Sequence, residues 1–211
     1  MDRFLPQFPL NIVVFPGNEL NLHIFEERYK QLIDDCRNDK ITFGIPTVIN
    51  GKLMDIGTEI ELKEISKTHS NGSKDVKTKA IGKYRILDYK EVAENKLYGT
   101  AKVETIPDQF DPLPKINEEI FELLNRLFKI LKIGKPVPKF DDSFNMYLIA
   151  QKVGLNHDQE YEFLQIDSES KRQIYIFNHL SKLIPVVTEI EKLKQKVKLN
   201  GHFKELKPPF F

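Results

Sequence analysis

The fold is decided by the stretch FPLNIVVFPG at residues 8–17 and by LNLHIFEERY at residues 20–29. The first stretch is an apolar, β-branched run that ends at Pro16-Gly17, a pattern that predicts a buried strand closing in a turn. Aliphatic and polar residues then alternate, which predicts a second strand with one apolar face. The period finally lengthens to three or four residues, so an amphipathic helix is predicted over about residues 25–38.

Further strand patterns follow this helix. They cover residues 42–49, 58–65, 76–89 and 98–106. Asn50-Gly51 and Asn71-Gly72 are pairs that accept positive φ angles, so the first predicts a turn and the second a hairpin with a long polar tip. About six strands with one inserted helix are more typical of a small closed barrel than of an α/β sheet. The sequence therefore predicts a β-barrel subdomain over residues 1–108.

The second half of the chain has helical periodicity. A proline-rich segment at residues 109–114 is predicted to be a linker, and residues 115–200 to be a helical bundle. Four helices are predicted there: one capped by Asn117 and stopped by Gly134, one over residues 142–154, one opened by the capping-box pair Asn156 and Gln159, and a long one over residues 168–199. The long helix contains Pro185, and its 4-3 apolar spacing predicts that one side packs. The predicted fold class is α+β, and an apolar tail over residues 201–211 completes the chain.

Composition excludes several classes of function. The 211 residues include 32 Lys and Arg against 31 Asp and Glu, and a net charge of +1 does not favour a dedicated nucleic-acid binder. A single cysteine excludes a disulfide framework and a Cys-rich zinc site. The sequence has neither the apolar segment of a signal peptide nor the roughly 20 apolar residues of a membrane span. We therefore expect a cytoplasmic protein with no membrane partner.

Catalytic motifs are absent from the sequence. The Gly-Lys pairs at Gly51, Gly82 and Gly134 lack the other residues of a phosphate-binding loop, and dinucleotide, zincin and hydrolase motifs are missing. Cys36 falls on the apolar stripe of its helix, which favours a packed thiol over a nucleophile. His23 is on the polar side of its strand and is expected to be a surface or hydrogen-bonded histidine. The other four histidines have no carboxylate or second histidine at ligand spacing: His69, His157, His179 and His202. We expect no enzyme, no metal and no cofactor, the alternative being an enzyme that uses barrel carboxylates.

Two groups of residues are candidates for binding. Aromatic residues on a tail are unusual unless they dock, either on their own domain or on a protein partner. This apolar group consists of Phe203, Leu206, Phe210 and Phe211. A basic run at the end of the last helix either contacts the phosphates of RNA or complements the helix dipole. This basic group consists of Lys192, Lys194, Lys196 and Lys198.

The opening stretch resembles the start of the N-terminal substrate-binding domain of Lon proteases, particularly the stand-alone bacterial versions. Later pieces are similar in the same order: FGI at residues 43–45, IGT at residues 56–58, SNGSK at residues 70–74 and GKYR at residues 82–85. The resemblance covers about residues 5–200. In full-length Lon this module precedes an ATPase and a protease domain, neither of which has a motif in this sequence.

The resemblance implies a PUA-like β-barrel followed by a helical bundle. It also implies a non-catalytic, proteolysis-related module that binds unfolded or specific protein clients. A separate ATPase or protease is a further candidate partner. RNA binding through the PUA-like barrel and the basic helix end is the alternative function.

Overall fold

Six strands and five helices make up the computed structural model, which describes residues 3–140 and 144–203. The strands are β1 (Arg3–Gln7), β2 (Glu19–Ile24), β3 (Phe43–Ile49), β4 (Lys52–Thr68), β5 (Lys74–Lys90) and β6 (Gly99–Ile106). The helices are α1 (Glu27–Asp39), α2 (Pro114–Ile130), α3 (Tyr147–Ala150), α4 (His157–Gln165) and α5 (Glu169–Phe203). The predicted α+β class, with a helix inserted among the strands and a long last helix, is confirmed.

Five of the strands close into a ring. The ring runs β1–β3–β4–β5–β6 and returns to β1, and all its pairings except β1–β3 are antiparallel. β5 has 17 residues, so its second half pairs with β6 while its first half pairs with β2, from Glu19↔Lys79 to Ile24↔Lys74. The closed ring is the barrel expected from the sequence, whereas its PUA-like class stays a prediction.

The predicted turn at Asn50-Gly51 and the predicted hairpin at Asn71-Gly72 are both present, and each joins two antiparallel strands. Asn50 and Gly51 have φ angles of 51° and 77° between β3 and β4, and Gly72 has a φ angle of 79° between β4 and β5. In the Asn50-Gly51 turn, positive φ at both central residues matches the right-handed twist of the flanking strands, so these two residues set the register of the β3–β4 hairpin.

The predicted strand at residues 10–15 is wrong. Val13, Val14 and Phe15 are buried as expected, but the segment makes only an isolated bridge between Leu10 and Thr47. Side chains satisfy its backbone instead, since Thr58 Oγ1 donates to the Val14 carbonyl at 2.5 Å. An apolar run indicates burial, and burial does not require ladder pairing. The N-terminal strand of the ring is β1, which the sequence analysis missed.

α1 packs its apolar stripe against the strands. Tyr29, Leu32, Ile33 and Cys36 are all buried and belong to one core cluster with residues of β2 to β5. The helix begins at Glu27, two residues later than predicted, and Phe25 is left 65% exposed in the preceding turn. Helical spacing alone does not reveal where the first turn starts.

Backbone packing divides the chain into two compact units. The first comprises Met1–Phe110 and Asn145–Glu169, and the second comprises Asp111–Phe144 and Ser170–Phe211. The sequence predicts one helical subdomain over residues 115–200. In the structure, residues 145–169 belong instead to the unit that contains the strands. Helical periodicity reveals that a segment has an apolar face, but not which surface that face covers.

Segment 145–169 is joined to the strands by a buried lysine and by aromatic rings. Lys83 Nζ donates to Tyr147 Oη at 3.1 Å, to the Leu164 carbonyl at 3.2 Å and to the Ile166 carbonyl. The Phe15 ring centroid lies 5.6 Å from the rings of both Tyr147 and Phe163. These contacts make α3 and α4 part of the first unit.

Of three predicted helix ends, the two of α2 are wrong and the start of α4 is confirmed. α2 begins at Pro114 without a side-chain cap, and Asn117 lies inside it, where its Oδ1 accepts from Gln173 Nε2 at 2.5 Å. α2 also ends at Ile130, before Gly134. The capping box of α4 is confirmed, with Asn156 and Gln159 exchanging hydrogen bonds of 2.9 Å. Only α3 and a following turn lie in the described part of the helix predicted over residues 142–154.

α5 has different environments along its length. Pro185 lies inside the helix as predicted, and Ile176, Leu180 and Ile184 are buried before or beside it. Ile190 and Val197 continue the 4-3 spacing but are 45% and 70% exposed, so packing on one side stops part-way. No helix in the described ranges has the length and apolar character needed to cross a membrane.

Candidate functional site

A cleft of about 430 Å³ lies between the C-terminal end of α1 and the middle of β4. Its lining residues are Cys36, Arg37, Lys40, Ile41, Thr42, Glu61, Leu62, Lys63, Glu64 and Ile65. Leu62 and Ile65 pack against the core cluster, and Ile41 is 37% exposed. The cleft therefore combines an apolar floor with a charged rim.

The end of α1 shapes one wall of the cleft. Lys40 is the C-cap residue and has a left-handed conformation, with φ at 53°. This turn brings Ile41 and Thr42 to the start of β3. Thr42 Oγ1 donates to Glu59 Oε1 at 2.5 Å, and Arg3 binds both oxygens of the same carboxylate. Burial opposes ionisation of Glu59, but these hydrogen bonds outweigh it and lower its pKa, so the wall is held by charge-assisted bonds.

β4 offers a free backbone edge beside the cleft. Its pairing with β3 stops at Phe43↔Ile60, whereas its pairing with β5 continues to Thr68↔Lys74. Among the described residues, 61–68 therefore pair on one side only. Unpaired N–H and C=O groups on such an edge are able to bind an extended peptide as an additional strand.

The charges at the rim are mixed. Glu61 Oε2 lies 2.6 Å from Lys63 Nζ, and Glu64 Oε1 lies 2.6 Å from Lys77 Nζ. Arg37 adds positive charge on the α1 side. Because acidic and basic groups alternate, the rim does not create a field of one sign, and it does not select for a polyanion.

Cys36 at the cleft floor is not a nucleophile. Its side chain is buried, and burial, followed by the charges of Asp35 and Asp39, raises the pKa of the thiol to about 12. A thiol with this pKa stays protonated at neutral pH, and the thiolate is the reactive form. The predicted packed thiol agrees with this environment.

A second cleft, of about 360 Å³, lies between the β3–β4 hairpin and α4. Tyr161 joins the two elements, since its Oη donates to Asp55 Oδ1 at 2.8 Å and accepts from the Ile56 amide at 3.2 Å. Burial and the Asp55 carboxylate raise the pKa of Tyr161. Its lining is mostly polar and includes Asp158 and Glu162, so it lacks the apolar floor of the α1–β4 cleft. The α1–β4 cleft is therefore the stronger candidate.

The binding residues predicted from the sequence lie elsewhere. Lys192 and Lys194 pair with Glu189 and Glu191 at 2.8 Å and 2.6 Å, each on the preceding turn of α5. Lys196 is exposed on the same helix, and the side chain of Lys198 is outside the described part. Phe203 ends α5 with its side chain likewise undescribed, while Leu206, Phe210 and Phe211 lie outside the described residues.

The α1–β4 cleft is not apparent from the amino-acid sequence. Its residues come from two segments, 36–42 and 61–65, that only the packing of α1 on β4 brings together. One available signal was Ile41, an apolar residue between the polar end of a helix and a strand. By itself this signal does not distinguish a surface cleft from core packing.

Comparisons with known proteins identify the family. The family model for the ATP-dependent protease La (LON) substrate-binding domain matches residues 5–200. The chain belongs to this family. The resemblance read from the opening stretch is thereby confirmed. The match is to a LON substrate-binding domain, and no catalytic domain is found in the 211 residues.

Solved LON domains share the fold. The crystal structure of a Lon N-terminal domain protein from Xanthomonas campestris is 23% identical, with a TM-score of 0.65, covering 83% of this chain and 98% of that one. The N-terminal domain of the Mycobacterium avium complex Lon protease is 14% identical, with a TM-score of 0.62, covering 85% of this chain and 98% of that one. No curated protein matches the chain.

Three motif pieces of this LON domain meet at one buried tyrosine. Tyr84, from GKYR, donates its hydroxyl proton to Gln7 Oε1 at 2.7 Å. The hydroxyl end of the Tyr84 ring lies against Gly44 of FGI and Gly57 of IGT. A Cβ added to either glycine would clash with the Tyr84 hydroxyl. These glycines allow the phenol to cross the barrel interior, so the motif pieces have a structural role.

Proposed function

We propose that this protein recognises extended segments of unfolded or specific protein clients, without catalysis, through the α1–β4 cleft and the free edge of β4. The observation that carries the proposal is this unpaired edge beside an apolar-floored cleft, in a member of the LON substrate-binding domain family. Unfolded chains expose both of the features that such a site binds, namely backbone amides and apolar side chains.

The binding mode follows from the geometry. An extended client would add a strand along residues 61–68 and make main-chain hydrogen bonds that do not depend on sequence. An apolar client side chain would enter the cleft and contact Ile41, Leu62 and Ile65. The mixed charges of the rim tolerate either sign of client charge. Such a site favours unfolded segments over folded surfaces.

The biological setting belongs to the same proposal. The family description names an ATP-dependent protease, which supports a proteolysis-related role. The proposed location is the cytoplasm. A separate ATPase or protease subunit is the corresponding candidate partner for bound clients. The same proposal includes a PUA-like class for the barrel, which holds the free edge of β4 in place.

The test is a binding titration with a chemically unfolded model protein, the folded form of the same protein, and a short RNA, each at low and high salt. We expect salt-tolerant preference for the unfolded chain. Ile41→Asp should weaken this binding at least about tenfold, because it places a charge where an apolar side chain would be buried.

Ile81→Asp is the matched control. Ile81 is an exposed isoleucine on β5, 48% accessible, and it does not line the cleft. Its substitution should leave the affinity unchanged. Equal affinity for folded and unfolded protein, or equal loss in both variants, would contradict the proposal. Salt-sensitive binding to RNA alone would instead support the nucleic-acid alternative.

A further inference from the structure

Two histidines and an aspartate meet at the distal end of the β4–β5 hairpin. His23 Nδ1 lies 2.6 Å from Asp75 Oδ1, and His69 Nε2 lies 2.7 Å from Asp75 Oδ2. One ligand atom from each residue lies within 4.8 Å of the other two. Sequence spacing does not reveal this group, because its members come from β2, from the turn after β4, and from β5.

The backbone positions all three side chains. His23 and Asp75 are direct partners in the β2–β5 ladder, so their side chains leave the sheet on the same face. The His69 amide donates to the Ser73 carbonyl at 2.8 Å, and the Gly72 amide donates to the His69 carbonyl at 2.9 Å. The donors are therefore held by a paired ladder and a hydrogen-bonded turn.

Asn71 strengthens this turn. Its Oδ1 accepts from the Ser73 amide at 3.0 Å and from Ser73 Oγ at 2.8 Å. Lys74 is the adjacent residue on β5, and its ammonium pairs with Asp34 of α1 at 2.5 Å. The Lys74 ammonium therefore has a carboxylate partner other than Asp75.

The donor set and its spacing fit a transition metal. Imidazole nitrogen and carboxylate oxygen bind Zn²⁺ at about 2.0–2.2 Å, and a tetrahedral ion holds such atoms about 3.4 Å apart. The two hydrogen-bonded separations, 2.6 Å and 2.7 Å, are shorter than this value, and all three ligand atoms lie within 4.8 Å of one another, so the donors would move apart slightly to admit an ion. Each imidazole directs one nitrogen at the carboxylate, and a metal ion would take the place of the hydrogen-bonding protons between them.

We propose that His23, His69 and Asp75 form a binding site for Zn²⁺ or a similar divalent transition-metal ion. The side chains are 54%, 30% and 39% exposed, so a fourth position is open to water or to a ligand from outside. The exposed Phe25 ring stacks on His23, with centroids 6.3 Å apart. None of the three residues lines the α1–β4 cleft, and the proposal does not depend on the function of that cleft, although Asp75 pairs with Lys67 at the far end of the β4 edge.

The test is a calorimetric titration of the metal-stripped full chain with ZnCl₂. We expect one ion per chain and a Kd that rises at least about tenfold in Asp75→Asn and in His69→Ala, since even outer-shell changes cost about 10–100-fold. His179→Gln is the matched control, because it removes a histidine outside the group and should leave the Kd unchanged. MgCl₂ should not compete, since Mg²⁺ prefers oxygen ligands.

A second readout separates ligation from a structural effect. Co²⁺ bound to the chain should show the visible absorption of a four-coordinate site, and Asp75→Asn should alter it while thermal unfolding confirms that the variant folds. Absence of Zn²⁺ binding, or equal Kd values in the native chain, Asp75→Asn and His69→Ala, would overturn the proposal and leave a hydrogen-bonded triad.

Discussion

Lys83 is the residue whose burial most needs explanation. Only 1% of its side chain is exposed, and an ammonium group in such a place is costly unless it is fully paired. Tyr147, Leu164 and Ile166 supply oxygen acceptors, and Asp108 Oδ1 lies 3.5 Å from Nζ. Lys83, on β5, thus binds residues 145–169 through several polar contacts at once.

Replacing this lysine should destabilise the protein strongly. Lys83→Met keeps the length of the side chain but leaves buried carbonyl groups without their donor, and we expect a loss of about 3 kcal/mol in the free energy of unfolding. Unfolding in denaturant measures this loss of free energy for the variant and the native chain. Lys79→Met, on an exposed position of the same strand, should change stability by less than about 0.5 kcal/mol. Similar small values for both variants would show that the buried contacts contribute little.

Cys36 should be nearly inert in the folded state. Its pKa rises from 9.0 to about 12, which lowers the thiolate fraction by about a thousandfold at neutral pH. Reaction with a disulfide reagent at about pH 8 should be at least about a hundredfold slower than in denaturant. Because only the unfolded state loses this proton between the two pKa values, the thiol lowers stability as pH rises through that window. Equal labelling rates in both states would contradict this view.

The end of α2 is an element under conformational strain. The Ile133 amide donates to the Phe128 carbonyl at 2.9 Å and the Lys132 amide to the Lys129 carbonyl at 3.3 Å, which is the Schellman pattern. Lys132 occupies the left-handed position with φ at 55°. Glycine adopts this conformation without the cost that a Cβ brings.

Lys132→Gly should therefore stabilise the protein by about 1 kcal/mol. Thermal and denaturant unfolding measure the gain. Lys132→Ala is the control, since it removes the same long side chain but keeps the Cβ, and it should give no gain. An equal effect of both substitutions would mean that the side chain, and not the backbone, sets the stability at this position.

This helix end also shows which elements the sequence predicts well. The α4 capping box was predictable because its two partners are three residues apart and bond each other. The end of α2 was not, because a lysine takes the left-handed position and Gly134 lies beyond it. Local signals are reliable where the bonding partners are local.

The remaining differences between the predicted and the observed structure come from pairing between residues that are far apart in the sequence. β1 was missed because its ladder partners are in β3 and β6, far along the chain. The cleft was missed for a related reason, since the register of β4 shifts between Leu62 and Glu64 and again between Ile65 and Lys67. Each shift changes the face to which later residues belong, so strict alternation does not identify the cleft side of β4.

At the scale of the molecule, the first unit is discontinuous in sequence. Residues 145–169 complete it, although residues 111–144, which include α2, separate them from the strands along the chain. Family membership shows the fold over residues 5–200, and the contacts of Lys83 and Phe15 show why the barrel needs this distant segment. A boundary drawn after the last strand would therefore cut through the unit.

Two truncated chains test this architecture. Residues 1–110 contain every strand but lack Tyr147, Phe163 and the carbonyl groups that bind Lys83, whereas residues 1–169 retain them all. The lost contacts are worth several kcal/mol, a large part of a typical stability of about 5–15 kcal/mol. We expect residues 1–169 to unfold cooperatively, and residues 1–110 to bind a hydrophobic dye and lose near-ultraviolet circular dichroism. Cooperative unfolding of both chains at the same temperature would mean that the strand ring is stable alone and that residues 145–169 only cover it.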